Sequence, residues 1–106
     1  MNKAIHSTTF DVTDALHEHI NTNISKIEQH NDKTTHIDVF LKKDNLKFIA
    51  EFKLLVPHTN GVLVSSSSED MYHAITEATN KVLIKLKKLK EKSKSKLHQK
   101  ILVAEE

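Results

Sequence analysis

The sequence predicts an α+β domain of β-α-β-β-β-α order, a two-layer sandwich in which a four-stranded sheet carries two helices on one face. Three observations predict it. Apolar residues recur at helical spacing in two separate stretches, they alternate with period two in the segments between, and turn-forming residues separate those segments. With 106 residues the chain is long enough for one core and too short for two.

Lys3 to His6 form a short β-like segment ending in STTF. In DVTDALHEHINTNISKIEQH the period changes: Leu16, Ile20, Ile24 and Ile27 follow at intervals of four, four and three, which draws one apolar stripe along a helix. Thr13 is placed to cap it, and Asp14 and Glu18 set negative charge in its early turns, where the helix dipole favours it. HNDKTT ends this helix. From His36 the period falls to two, so Ile37, Val39 and Leu41 share one face of a strand and Asp38, Phe40 and Lys42 the other. KKDNLK is a turn, its Asp44-Asn45 pair tolerating left-handed backbone. Phe48, Ala50, Phe52 and Leu54 share a face of the next strand. PHTNG holds the only proline and the only glycine, Asn60-Gly61 marks a turn, and VLVSS is the last strand. Ser67, three residues before Asp70, predicts a capping-box-like start for the final helix, whose buried stripe is Met71, Ile75, Ala78, Val82, Leu86 and Leu89. The strand-helix-strand crossover requires a parallel first pair, and the remaining strands follow as antiparallel hairpins.

Charge is segregated along the chain. Residues 1–80 hold 7 Lys against 11 Asp and Glu, a net −4; residues 81–100 hold 9 Lys against Glu91, a net +8; Glu105 and Glu106 return the total to +2. KLKKLKEKSKSK alone carries seven lysines in twelve residues. On a wheel of about 100° per residue, Lys81, Lys85, Lys88 and Lys92 fall on one side of the buried stripe and Lys87, Lys90 and Lys94 on the other. Two readings stay open: a solvated amphipathic helix, or a phosphate-binding surface on a rigid element. Every base is lysine. Lysine is a flexible point charge without a guanidinium fork, which favours phosphate contact over reading of base edges.

The composition argues against catalysis. One glycine permits neither a P-loop nor a dinucleotide fingerprint. The Ser65–Ser68 run lacks a nucleophile elbow and reads as strand end plus helix cap. Glu69, Asp70 and Glu77 are accounted for by the start of a helix. Tyr72 has two readings, stacking on a base or packing against the sheet edge. Eight histidines include no His-x-x-x-His pair, and His17 and His19 diverge on a helix, so neither a metal site nor another cofactor is expected. Without cysteine, a disulfide framework and thiolate ligation are excluded, and a reducing compartment fits. The N-terminus lacks a signal-peptide apolar region and no run approaches a membrane span, so a soluble cytoplasmic protein without membrane contact is expected. Residues 1–95 are read as the domain and residues 96–106 as a flexible tail of mixed charge.

SSEDMYHAITEATNKVLIKLKKLKEK, with its EDMY-x-AI helix start and regular lysines, resembles the family of ribosome hibernation promoting factors in their short form and the ribosome-associated inhibitor protein Y. VTDALHEHINTNISKIEQH and TNGVLVSS are similar to the same family's first helix and third strand of the meander. The likeness covers about residues 1–95 and agrees with the element order read above. It implies a non-enzymatic protein that binds the small ribosomal subunit and its rRNA in the channel of messenger RNA and the A- and P-site transfer RNAs, blocking translation and preserving idle ribosomes in stationary phase or stress. On that resemblance the RNA-binding positions are Lys26, Lys81, Lys88 and Lys92, which match, and Lys85, which supplies charge where relatives often have a polar residue. Ile84 departs from the arginine common there, with Lys87 or Lys90 as replacements. The short chain is expected not to dimerise ribosomes through a second domain, to be a monomer off the ribosome, and to act with or without a separate modulation factor. LHQKILVAEE is intermediate between the branch that promotes paired ribosomes and the branch that keeps them single. A double-stranded-RNA-binding module acting off the ribosome has a similar helix-on-sheet architecture and is the rival reading.

Overall fold

A computed structural model describes residues 2–7, 11–30 and 34–98, with side chains described up to Leu89. The elements are β1 (Asn2–Ser7), α1 (Asp14–His30), β2 (His36–Asp44), β3 (Lys47–Leu55), β4 (Val62–Ser68) and α2 (Met71–His98), in the expected β-α-β-β-β-α order. The sheet runs β1-β2-β3-β4. β1 lies parallel to β2 with Ile5 opposite Val39. The β2–β3 and β3–β4 pairs are antiparallel, with Val39 opposite Phe52 and Phe52 opposite Val64. β1 is slightly longer than the Lys3–His6 segment expected.

One sheet face is buried. Alternation sends Ile37, Val39 and Leu41, then Ala50, Phe52 and Leu54, then Val62 and Val64 to that face. There they meet Leu16, Ile20, Ile24 and Ile27 of α1 and Met71, Ile75, Ala78, Val82 and Leu86 of α2. Leu89 packs at the margin of this core. All of the expected stripe residues are therefore inward. Thr13 caps α1 as expected: its Oγ1 accepts from the Leu16 N–H at 3.1 Å and its carbonyl from the His17 N–H at 2.9 Å.

Two local expectations are corrected. α2 is capped by Asp70, not by a box starting at Ser67: Asp70 Oδ1 accepts from the Tyr72 N–H at 3.1 Å and its carbonyl from the Ala74 N–H at 3.0 Å. Ser67 is held in β4 opposite Ile49, and Ser68 Oγ accepts from the Asp70 N–H at 3.2 Å. Tyr72 packs edge-on against His19 of α1, ring centroids 5.1 Å apart, rather than against the sheet edge. The turns behave as read, with positive φ at Asn45 (59°) and Gly61 (85°), and a further one at His58 (66°). The tail expected over 96–106 lies outside the described residues from position 99 on.

Candidate nucleic-acid interface

β4 ends the sheet, and α2 packs on β4 and β3 through its buried stripe. Residues of α2 just beside that stripe therefore overhang an edge strand. The lysine flank is what overhangs it. Lys81, Lys85 and Lys88 of α2, with Ile84 between them, face Leu63 and Ser65 of β4 across an open groove of about 350 Å³. No acid lines it.

Helix geometry makes this convergence possible. Positions 81, 84, 85 and 88 recur at intervals of three, one and three, so they share a face. Alternation along β4 turns Val62 and Val64 inward and leaves Leu63 and Ser65 exposed. One lysine is fixed by the strand: Lys81 Nζ donates to the Ser65 carbonyl at 2.8 Å. An ammonium has three N–H donors, so two of those on Lys81 are left for another acceptor.

The other sequence-derived positions do not join this groove. Lys87 is exposed on α2 away from it, and Lys26 is exposed on α1. Lys90 and Lys92 belong to α2, but their side chains lie outside the described ones. Sequence reasoning missed the β4 wall. The signal was present in VLVSS, where alternation sets Leu63 and Ser65 outward, but nothing local says that a helix would run alongside.

Among the described residues, polar clusters elsewhere do not assemble a nucleophile. Ser66 Oγ donates to Glu77 Oε1 at 3.3 Å, and His73 Nε2 meets Glu77 Oε2 at 3.1 Å. The carboxylate stands between serine and imidazole, the reverse of the order in which a histidine takes the serine proton. On the open sheet face Asp38 receives both His6 (Nε2–Oδ1 3.2 Å) and His36 (Nε2–Oδ2 3.0 Å), while the His6 ring stacks on Phe40 at 4.6 Å. The His6 hydrogen bond, with a lesser one from His36, holds the Asp38 carboxyl below its ordinary value against partial burial, which pushes the other way. Among the described residues no group of three or more His, Asp or Glu could hold a metal ion, and no described helix is long and apolar enough to cross a membrane.

Comparison with known proteins agrees with this architecture. Residues 4–94 match the family model described as Sigma 54 modulation protein / S30EA ribosomal protein. The ribosome hibernation promoting factor of Pseudomonas putida is 34% identical over 87 residues, 82% of this chain and 84% of that one. The ribosome-associated factor Y of Haemophilus influenzae is 32% identical over 96 residues, 91% of this chain and 89% of that one. In fold, a ribosomal subunit interface protein from Coxiella burnetii superposes with a TM-score of 0.81 at 22% identity, over 86% of this chain and 99% of that one. The chain thus belongs to the Sigma 54 modulation protein / S30EA ribosomal protein family, a family of ribosome hibernation factors, which are not enzymes.

Proposed function

We propose that the chain is a cytoplasmic hibernation factor that binds the small ribosomal subunit in the messenger- and transfer-RNA channel, at the A and P sites, and so inhibits translation and preserves idle ribosomes in stationary phase or stress. The observation that carries this reading is the convergence of Lys81, Lys85 and Lys88 on one groove beside the sheet edge, with no acid among its described lining residues. In that role the three ammonium groups neutralise ribosomal RNA phosphates, Lys92, Lys90, Lys87 and Lys26 extend the contact, and the sheet supplies a rigid body shaped for the channel. Because residues 1–80 carry a net −4, the protein approaches RNA along this helix first.

Phosphate contacts release counterions, at a log-log salt slope of about −0.7 to −0.9 per phosphate, so three groove lysines contribute a slope of roughly −2 to −3. The test is co-sedimentation with small subunits at moderate salt. Changing Lys85→Glu, Lys88→Glu and Lys92→Glu together should abolish binding, and unchanged binding by that variant would remove the groove from the account. Excess duplex RNA should displace the wild type poorly; ready displacement would favour a duplex-binding module acting off the ribosome. Relatives named for hibernation promotion and for factor Y are similarly close, so sucrose-gradient profiles with and without a modulation factor decide between paired and single ribosomes.

A further inference from the structure

Lysine is only half of what lines the groove. Leu63 is 55% and Ile84 56% exposed, and both stand in it among Lys81, Lys85 and Lys88. One exposed aliphatic side chain is ordinary. Two of them, one from a strand and one from a helix, lining the same groove as three lysines make a surface that offers both apolar contact and positive charge.

Three occupants can be weighed by what each would use. A peptide adding as a strand to β4 needs the free backbone of that edge. Lys81 Nζ of α2 already sits on the Ser65 carbonyl at 2.8 Å, so that acceptor is occupied and a helix covers part of the edge, which works against such pairing. Duplex RNA would use the lysines alone, since its bases are stacked inside and its surface offers phosphate and ribose. An unpaired nucleotide uses both parts, because it presents an apolar base face next to an anionic backbone. The groove is open to solvent, so a base would lie against it and not be enclosed.

The geometry points to a pocket for one unstacked RNA base: the base lies on the Leu63–Ile84 shelf while its flanking phosphates meet Lys85, Lys88 and the two remaining donors of Lys81. This rests on the RNA-binding reading above and narrows it from phosphate contact in general to an unpaired segment. The Leu63 and Ile84 side chains are indifferent to base identity, since neither can hydrogen-bond to a base edge. Selectivity is for single-strandedness.

The test uses the full chain with a short single-stranded RNA carrying a fluorescent base analogue, and a hairpin duplex of equal phosphate count. The wild type should bind the single strand more tightly and change the analogue's emission. The variant Leu63→Ser/Ile84→Ser should lose about five- to tenfold in single-strand affinity, as expected for re-exposing a base face, with its salt slope and its duplex affinity unchanged. Lys85→Gln/Lys88→Gln should lower the salt slope for both RNAs. Should the first variant melt early, Ile84→Thr alone carries the test, with a smaller loss expected. Equal binding of single strand by the shelf variant, equal losses on duplex and single strand, no measurable single-strand binding by the wild type, or displacement of RNA by an acidic peptide at the same site would each overturn the inference. Ribosome co-sedimentation of the same variants separates the two levels. If the lysine variant loses ribosomes while the shelf variant binds single strands normally, the base pocket fails and the ribosomal reading stands. If the lysine variant keeps ribosomes as well, both fail.

Discussion

Replacing the single glycine should cost a measurable part of the fold's stability. Gly61 has φ +85°, and a Cβ built there would stand 2.6 Å from the Leu54 carbonyl oxygen. Holding an L-residue in the left-handed region costs about 1–2 kcal/mol. The contact adds roughly as much again, because the atom struck is backbone at a point where β3 pairs with β4, Leu54 opposite Val62, and not the loose end of a side chain. Alanine also restricts the unfolded chain, which returns about 0.4–1 kcal/mol. The net loss for Gly61→Ala is therefore about 1–3.6 kcal/mol, a large share of the roughly 5–15 kcal/mol that holds a domain folded. Urea unfolding followed by circular dichroism would show the midpoint falling by about 1 M, given slopes of about 1–3 kcal/mol per molar. Asn60→Ala is the control: Asn60 is not among the positive-φ residues, so its change should stay within about 0.5 kcal/mol. A Gly61→Ala protein as stable as the wild type, or an Asn60→Ala protein equally damaged, would refute the assignment of this turn's strain to Gly61.

Capping gives a paired prediction: Asp70→Ala should lower stability by about 1 kcal/mol while Ser67→Ala changes it by less than about 0.5 kcal/mol, and thermal melts showing the opposite order would restore Ser67 as the cap. Asp38 gives a pH prediction. Its carboxyl is held below the ordinary 3.8, so its contribution is fully present above that value and is lost as pH falls through the lower folded value. The stability gap between wild type and Asp38→Asn should accordingly close as pH falls below 3.8; an NMR titration placing the Asp38 midpoint at or above 3.8 would contradict the His6 and His36 contacts.

The apolar periods carried most of the fold because each names a face. Leu16, Ile20, Ile24 and Ile27 could satisfy one stripe only as a helix, and Ile37, Val39 and Leu41 could share a face only as a strand, so the elements and their inward sides were readable before any tertiary contact was known. What failed was decided by partners distant in sequence. Four serines in a row suit a strand end and a helix cap equally; the pairing of Phe48 with Ser68 carries the strand through the run and hands the cap to Asp70. Tyr72 meets His19, 53 residues earlier, a contact set by how α1 and α2 lie together. The same limit governs the groove. A helical wheel sorted Lys81, Lys85 and Lys88 onto one flank, yet which strand that flank would overhang depends on β4 being the sheet edge. Lys26 and Lys87, equally plausible by charge, are outside the groove because Lys26 belongs to α1 and Lys87 to the other flank of α2.

α2 therefore performs two tasks that its geometry keeps apart. Ala74, Ile75, Ala78, Val82 and Leu86, all fully buried, fix the helix to the core, and the lysines beside them inherit that fixity at their roots. With a rise of 1.5 Å per residue, the backbone seats of Lys81, Lys85 and Lys88 are set at about 6 and 4.5 Å along the axis, so only the side-chain rotations remain to be ordered when an anion is bound. A basic segment without such seats would also have to order its backbone, at about 1–2 kcal/mol per residue. Lys81 is the exception to the separation, since its ammonium serves the fold and the groove at once. By covering the Ser65 carbonyl it closes the sheet edge to strand addition, and by keeping two N–H donors toward the groove it turns that protected edge into one wall of a cationic site. A hydrophobic residue at 81 would thus reopen the edge while emptying one corner of the groove, whereas neutralising Lys85 or Lys88 touches the groove alone.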